Sequence, residues 1–297
     1  MAAATDFSEQ HRELWGRLPA LLDHCTQRWS LKVLPPFPNL SFNYVAPVLR
    51  KNGSEAVLKV GLPHTELQTE IEALRCYDGR QSVRLLDADP ECGILLLERL
   101  RPGTVLTTLA DEANDAQATS IAAAVMQGLW RPVPPEHDFP HVRDWITGLQ
   151  ELRAHFGGGV GPFPLRLVEE AEALFAELLA SSSEAVVLHG DLHHDNILAA
   201  QRSSWLAIDP KGIRGEPAYE VGALLRNLWP DRHTILHPGK LLERRVHQLA
   251  EELHLDRARI RGWGVAQAVL SAWWCIEDGS DYHESSAVAE LLAAIKA

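Results

Sequence analysis

Val186-Val187-Leu188-His189-Gly190-Asp191-Leu192-His193-His194-Asp195-Asn196-Ile197-Leu198 decides how the rest of the chain is read. An apolar triplet enters the stretch and an apolar pair leaves it. Between them the polar side chains are denser than a simple turn requires. Asp191 and Asn196 stand five residues apart. Thirteen residues beyond Asn196, the short apolar run Trp205-Leu206-Ala207-Ile208 ends in the carboxylate of Asp209.

A carboxylate, an amide and a second carboxylate in that order suit phosphoryl transfer. Asp191 would orient an acceptor hydroxyl and accept its proton, while Asn196 and Asp209 would hold Mg²⁺ on the phosphates. Asp-x4-Asn alone says little, but the strand-borne Asp209 after it makes the pattern specific. The competing chemistry is zinc, because His-x3-His (His189 and His193) is a ligand spacing on a helix. Gly190-Asp191 directly after His189 favours a loop instead, and no His-Glu-x-x-His is present. His189 therefore reads as support for the loop, and His193 as a candidate contact for phosphate or substrate.

The run from Leu188 to Trp229 resembles the aminoglycoside phosphotransferase branch of the protein-kinase-like fold. His-Gly-Asp-Leu-His-His-Asp-Asn-Ile-Leu (189–198), Trp-Leu-Ala-Ile-Asp-Pro-Lys-Gly (205–212) and Gly-Glu-Pro-Ala-Tyr-Glu-Val (215–221) are similar to the streptomycin 6-phosphotransferase and hydroxyurea phosphotransferase group. A weaker similarity runs from about Ala56 to the C-terminus. The resemblance implies an α+β, two-lobed architecture. Residues 1–100 would form a small antiparallel-sheet lobe for the nucleotide, and 101–297 a larger, mostly helical lobe with the catalytic loop and substrate site. It implies an ATP- and Mg²⁺-dependent kinase of a small-molecule hydroxyl, with streptomycin as the reference acceptor. A kinase of another metabolite, or a nucleotide-binding protein without turnover, are the alternatives. Lys211 departs from the Asp-Phe-Gly of protein kinases, and matches the Asp-Pro-Lys-Gly of the resistance kinases.

The first third of the chain fits the nucleotide lobe. Phe42 to Val48 and Ala56 to Val60 read as strands joined by a turn at Arg50-Lys51-Asn52-Gly53. Lys59, in the second strand, matches the phosphate-binding lysine of kinases. A lysine in a buried strand needs a partner. Thr65 to Tyr77 reads as a helix capped by Thr65 and stopped at Asp78-Gly79. Within it Glu70, placed as its counterpart in the family, is preferred to Glu72 as that partner. Val83 to Leu86 and Ile94 to Leu97 are further strands. The crossing at 98–103 then corresponds to the hinge, where backbone groups of Glu98 and Leu100 would hold adenine. Pro38 to Val48 contains no glycine, so no Gly-rich phosphate cradle is expected. Ser41 or Asn43 would stand in.

Residues 8–31 are expected to form one amphipathic helix or a pair. Helices are also expected over 104–110, 113–130, 142–156, 165–182, 241–253, 256–277 and 285–296. Hydrophobic content of 46% against 23% charged residues is that of a globular chain with an ample core. The net charge of −12 argues against a nucleic-acid partner and suits a cationic small molecule. Acidic candidates for that acceptor are Glu216, Glu220, Glu277 and Asp278. Four scattered cysteines with no Cys-x-x-Cys, and no basic-then-apolar leader at the start, point to a reduced, cytoplasmic protein; a monomer or homodimer is expected.

Overall fold

The computed structural model describes residues 2–38, 43–109, 111, 113–228 and 235–296, with backbone alone for 2–11. The first element is a single helix, α1 (Ala2–Trp29), not a pair. Leu14, Leu18, Leu21 and Cys25 form its buried stripe. Pro19 lies on the exposed side of α1, where water can satisfy the carbonyl that its missing N–H leaves free.

Five strands follow: β1 (Lys32–Val33), β2 (Tyr44–Leu49), β3 (Glu55–Val60), β4 (Leu85–Asp89) and β5 (Ile94–Glu98). They pair antiparallel in the order β1-β2-β3-β5-β4. The β2–β3 hairpin closes where expected, with Gly53 at φ 80°. Helix α2 (Thr65–Tyr77) crosses between β3 and β4, capped by His64 rather than Thr65; the imidazole accepts from the Leu67 N–H. Asp78 and Gly79, both left-handed, end it.

Strand alternation sorts the sheet's two faces. Ala46, Val48, Leu58, Val60, Ile94 and Leu96 pack on α1. Val57, Leu95 and Leu97 pack under Leu67, Ile71 and Leu74 of α2. Lys59 shares the parity of Val57, so the pleat aims it at α2. Polar contacts fix α1 to the far edge of the sheet: His24 and Arg28 both reach Asp89, each at 2.9 Å, and Trp29 Nε1 donates to Asp87.

Beyond β5 the described chain is mostly helical: α3 (Asp115–Leu129), α4 (Thr147–His155), α5 (Leu165–Ala180), α6 (Pro217–Arg226), α7 (Pro238–Leu253), α8 (Arg257–Glu277) and α9 (His283–Ala293). Helix α8 runs through the middle, with Trp263, Ala266, Val269 and Leu270 fully buried against α5, α6 and α9. Asp256 caps it through the Arg259 N–H.

Two three-stranded sheets complete the architecture. One, ordered β10-β9-β6, uses β6 (Pro102–Val105), β9 (Ile197–Ala200) and β10 (Trp205–Ala207). The other, ordered β11-β8-β7, uses β7 (Arg131–Pro132), β8 (Val186–Leu188) and β11 (Ile213–Gly215). All pairings between named strands are antiparallel, and the class is α+β.

Two helical expectations are corrected. Residues 104–109 begin as strand, since Val105 pairs with Leu198, and continue as a 3₁₀ turn, Leu106–Leu109. The helix expected over 142–156 starts as a 3₁₀ segment, Val142–Ile146, behind a reciprocal His141–Asp144 cap, and only then becomes α4. No helix among the described residues is long and apolar enough to cross a membrane.

Candidate active site

The stretch from β8 to β9 folds as a loop whose shape is set from outside. Gly190 sits at φ 84°, and a Cβ there would come within 2.9 Å of Ile213. Glu220, on α6, spends both carboxylate oxygens on this bend, accepting the His189 N–H at 2.6 Å and the Gly190 N–H at 2.9 Å. His189 is fully buried: Nε2 donates to the Ile208 carbonyl at 2.7 Å, and Nδ1 accepts the Asp191 N–H at 3.2 Å. Burial lowers its pKa to about 4, so the ring is neutral and bridges the loop to the strand ending at Asp209. The Lys211 N–H returns to the His189 carbonyl, and Ile208 N–H to that of Asn196.

Three side chains are thereby presented from one frame. Asn196 donates its amide to the Asp191 carbonyl at 2.9 Å and faces His193 Nε2 at 3.3 Å. Its side-chain oxygen is left to ligate a cation. Asp209, in a left-handed conformation at φ 56°, keeps a half-exposed carboxylate. Asp191 Oδ1 accepts from Arg226 Nη2 at 2.6 Å. Burial works to raise the Asp191 pKa, but Arg226, His193, Lys211 and His189 outweigh it and hold the carboxyl below its usual range.

From the sheet, Lys59 reaches into the same frame. Its Nζ lies 2.7 and 2.8 Å from the two oxygens of Glu70 and 3.3 Å from Asp209 Oδ1. Both Lys59 and Glu70 are nearly inaccessible. Burial disfavours the ammonium, yet the Asp209 and Glu70 carboxylates more than compensate, and the lysine pKa is raised. Glu72, the unselected alternative, turns toward His137 at 3.4 Å.

The remaining sequence candidates divide. Ser41 lies outside the described residues. Asn43 packs over Gly61 at the end of β3, where an added Cβ would meet Asn43 Oδ1. Glu98 binds Arg202 with its carboxylate and the Arg84 N–H, while Leu100 is buried beside α2. Glu277 and Asp278 close α8; burial, with Glu151 and Asp278 nearby, raises the Glu277 pKa. Glu216 is a correction. It is buried against Arg259 at 2.6 Å and Trp263 Nε1 at 2.5 Å, so its carboxylate is consumed in holding α8 to α6 and offers nothing to an acceptor.

Sequence reasoning missed Arg226, and treated Glu220 only as a possible acceptor contact. A carboxylate that accepts two backbone N–H groups 30 and 31 residues away leaves no spacing pattern. It also missed the brace between α2 and the segment after Asp209. Thr69 Oγ1 donates to the Lys211 carbonyl at 2.6 Å, and Lys211 Nζ meets Glu66 at 2.8 Å. Beside that brace opens a cleft of about 280 Å³, bounded by Thr65, Glu66, Trp145, Lys211 and Trp274.

Asn196 and Asp209 offer oxygen donors, one of them anionic and half exposed, which fits a hard divalent cation rather than a soft metal. A buried cation, a half-exposed carboxylate beside it and a second ionised carboxylate in the loop can bind phosphates and orient a hydroxyl.

Comparison with known proteins agrees with that chemistry. The family described as aminoglycoside/hydroxyurea antibiotic resistance kinase matches residues 29–279. The chain is 35% identical to streptomycin 6-kinase of Streptomyces glaucescens, over 96% of this chain and 92% of the relative. It is also 35% identical to hydroxyurea phosphotransferase of Kitasatospora aureofaciens, over 90% of this chain and 76% of the relative. Among solved structures, aminoglycoside phosphotransferase APH(4)-Ia with ADP and hygromycin B superposes with a TM-score of 0.64 at 15% identity, covering 92% of this chain and 96% of that one. Choline kinase LicA from Streptococcus pneumoniae gives 0.64 at 14%, covering 94% and 99%. At those identities the structures speak for the protein-kinase-like fold alone, whereas the sequence matches carry the family. The chain is a small-molecule kinase and belongs to the aminoglycoside/hydroxyurea antibiotic resistance kinase family.

Proposed function

We propose that the protein transfers the terminal phosphoryl group of ATP to a hydroxyl of a cationic aminoglycoside of the streptomycin type. The observation that carries the reading is the closed Lys59–Glu70–Asp209 contact set beside the Asp191–Asn196 loop, which joins a phosphate-binding cation to a hydroxyl-orienting carboxylate. Residues 1–100 act as the nucleotide lobe and 101–297 as the acceptor lobe. Backbone groups of Glu98 and Leu100 hold the base, and Asn43 lies over the phosphates. Lys59, fixed by Glu70, neutralises phosphate charge.

Asp191 orients the acceptor hydroxyl and takes its proton as the O–P bond forms. The transition state for this transfer is loose, so most of the gain comes from positioning and charge stabilisation. Asn196 and Asp209 hold Mg²⁺, which when bound supplies positive charge across the phosphates. His193 contacts the phosphate or the acceptor, and Glu277 and Asp278 meet cationic groups on the acceptor. Four free cysteines suit a reducing cytoplasm.

The test is ADP release with Mg-ATP against streptomycin, other aminoglycosides, hydroxyurea and amino-alcohol metabolites, with Asp191→Ala as the blank. Turnover on streptomycin that Asp191→Ala abolishes, with ATP binding kept, is the expected result. Turnover confined to another acceptor moves the substrate and keeps the mechanism. Turnover surviving in Asp191→Ala removes Asp191 from its role.

A further inference from the structure

We infer that Arg226 is a positioning residue for phosphoryl transfer: it takes Oδ1 of Asp191 and so reserves Oδ2 for the acceptor hydroxyl. The inference rests on the reading of Asp191 as the hydroxyl-orienting carboxylate. The two oxygens of Asp191 are not equivalent. Oδ1 accepts a 2.6 Å charge-assisted bond from Arg226 Nη2, whereas Oδ2 lies 3.9 Å from His193 Nε2, beyond hydrogen-bond reach. A carboxylate held only by its own rotamer can swing about its Cβ–Cγ axis. One fixed at Oδ1 presents a single remaining oxygen in a single direction.

Arg226 is itself well placed to be rigid. It occupies the last turn of α6, where the helix dipole favours a cation, and its side chain is largely buried. Its second arm, Nη1, reaches Ser271 Oγ on α8 at 3.3 Å, and Ser271 faces Ser285 on α9 at the same distance. The helix that supplies Arg226 also supplies Glu220, which fixes the bend at His189 and Gly190. Helix α6 therefore sets both the backbone of the loop and the direction of its carboxylate.

The link to α8 adds a second consequence. Ser271, Trp274 and Asp278 lie at i, i+3 and i+7, along one partly exposed stripe of that helix. Two turns carry the stripe about 10 Å along the axis from the Arg226 contact to Asp278. An acceptor gripped at Asp278 and addressed by Asp191 would then be measured against one helix, through Arg226. Stiffness along this path, rather than added affinity, is what Arg226 contributes.

The experiment compares Arg226→Ala, Arg226→Gln and Arg226→Lys with the wild-type enzyme and Asp191→Asn, measuring kcat and both KM values. Misplacing a reacting group by about 1 Å costs on the order of 10²-fold. Arg226→Ala and Arg226→Gln should therefore lose kcat by about that factor, with KM for Mg-ATP unchanged and Asp191→Asn silent. Arg226→Lys should recover part of kcat. Guanidinium chloride at millimolar concentration should restore turnover to Arg226→Ala but not to Asp191→Asn, a response that a merely structural role would not give. If Arg226→Ala does not fold, Arg226→Gln and Arg226→Lys decide. Neutral variants with kcat within twofold of wild type, or a kcat loss that neither lysine nor guanidinium relieves, would overturn the inference while leaving Asp191 in place. Turnover by Asp191→Asn would instead overturn the reading beneath it.

Discussion

Lys59 illustrates how far a single residue can be read before its neighbours are known. Strand parity predicts that it leaves the α1 face, and burial of a cation predicts a partner, so a carboxylate on α2 follows from local rules. Resemblance selects Glu70 over Glu72, and the 2.7 Å contact agrees with it. The additional contact to Asp209 joins residues 150 apart, which no local rule reaches. Whether the pair serves stability or chemistry can be separated by substitution. Glu70→Ala leaves a buried ammonium with Asp209 alone and should cost about 3 kcal/mol, the low end for breaking a buried pair. Replacing both partners by apolar residues, Lys59→Met with Glu70→Leu, should recover most of that stability in urea unfolding. The double variant should still lack turnover. If activity returned with stability, the pair would be structural alone.

At the scale of elements, the long amphipathic helices and the β2–β3 hairpin were legible because period and turn residues agree. Where the segments differ from the local pattern, the causes are tertiary. Val105 is drawn into strand by pairing with Leu198, and the start of the 142–156 helix is tightened by the His141–Asp144 cap. The docking of α1 was likewise invisible, since it depends on Asp89 at the far sheet edge. Burial alone would raise the Asp89 carboxyl, but His24, the Cys92 N–H and Arg28 hold it below its ordinary value. A carboxyl lowered by folding adds stability that is full above its unfolded pKa of about 4 and is lost only as pH falls on through its lower folded pKa. Asp89→Asn should therefore destabilise the protein at pH 7 by about 1–3 kcal/mol, the worth of hydrogen bonds to a charged group. As pH falls from about 4 toward about 2, its urea midpoint should converge on that of wild type. An equal gap at pH 7 and about pH 2 would mean that the carboxylate charge does not anchor α1.

For the molecule as a whole, the two proposed substrates, a cationic acceptor and anionic Mg-ATP, carry opposite charge, while the protein carries −12. Raising ionic strength from 0.01 M to 0.15 M shortens the Debye length from about 30 to 8 Å. A cationic acceptor drawn by the net field should lose kcat/KM severalfold across that range, since steered association falls steeply with salt. Anionic Mg-ATP approaches a like-charged surface, so screening should leave its kcat/KM unchanged or raise it. The opposite signs make the comparison internally controlled, because a general salt effect on folding or chemistry would move both together. Glu277→Gln with Asp278→Asn separates the local from the global contribution. If those carboxylates grip the acceptor, the double variant should raise its KM and flatten its salt slope, with the Mg-ATP slope untouched. If the slope persists in the double variant, the acceptor's cations are met elsewhere. The exposed carboxylate of Glu66 beside Trp145 and Trp274 would then be the next to neutralise.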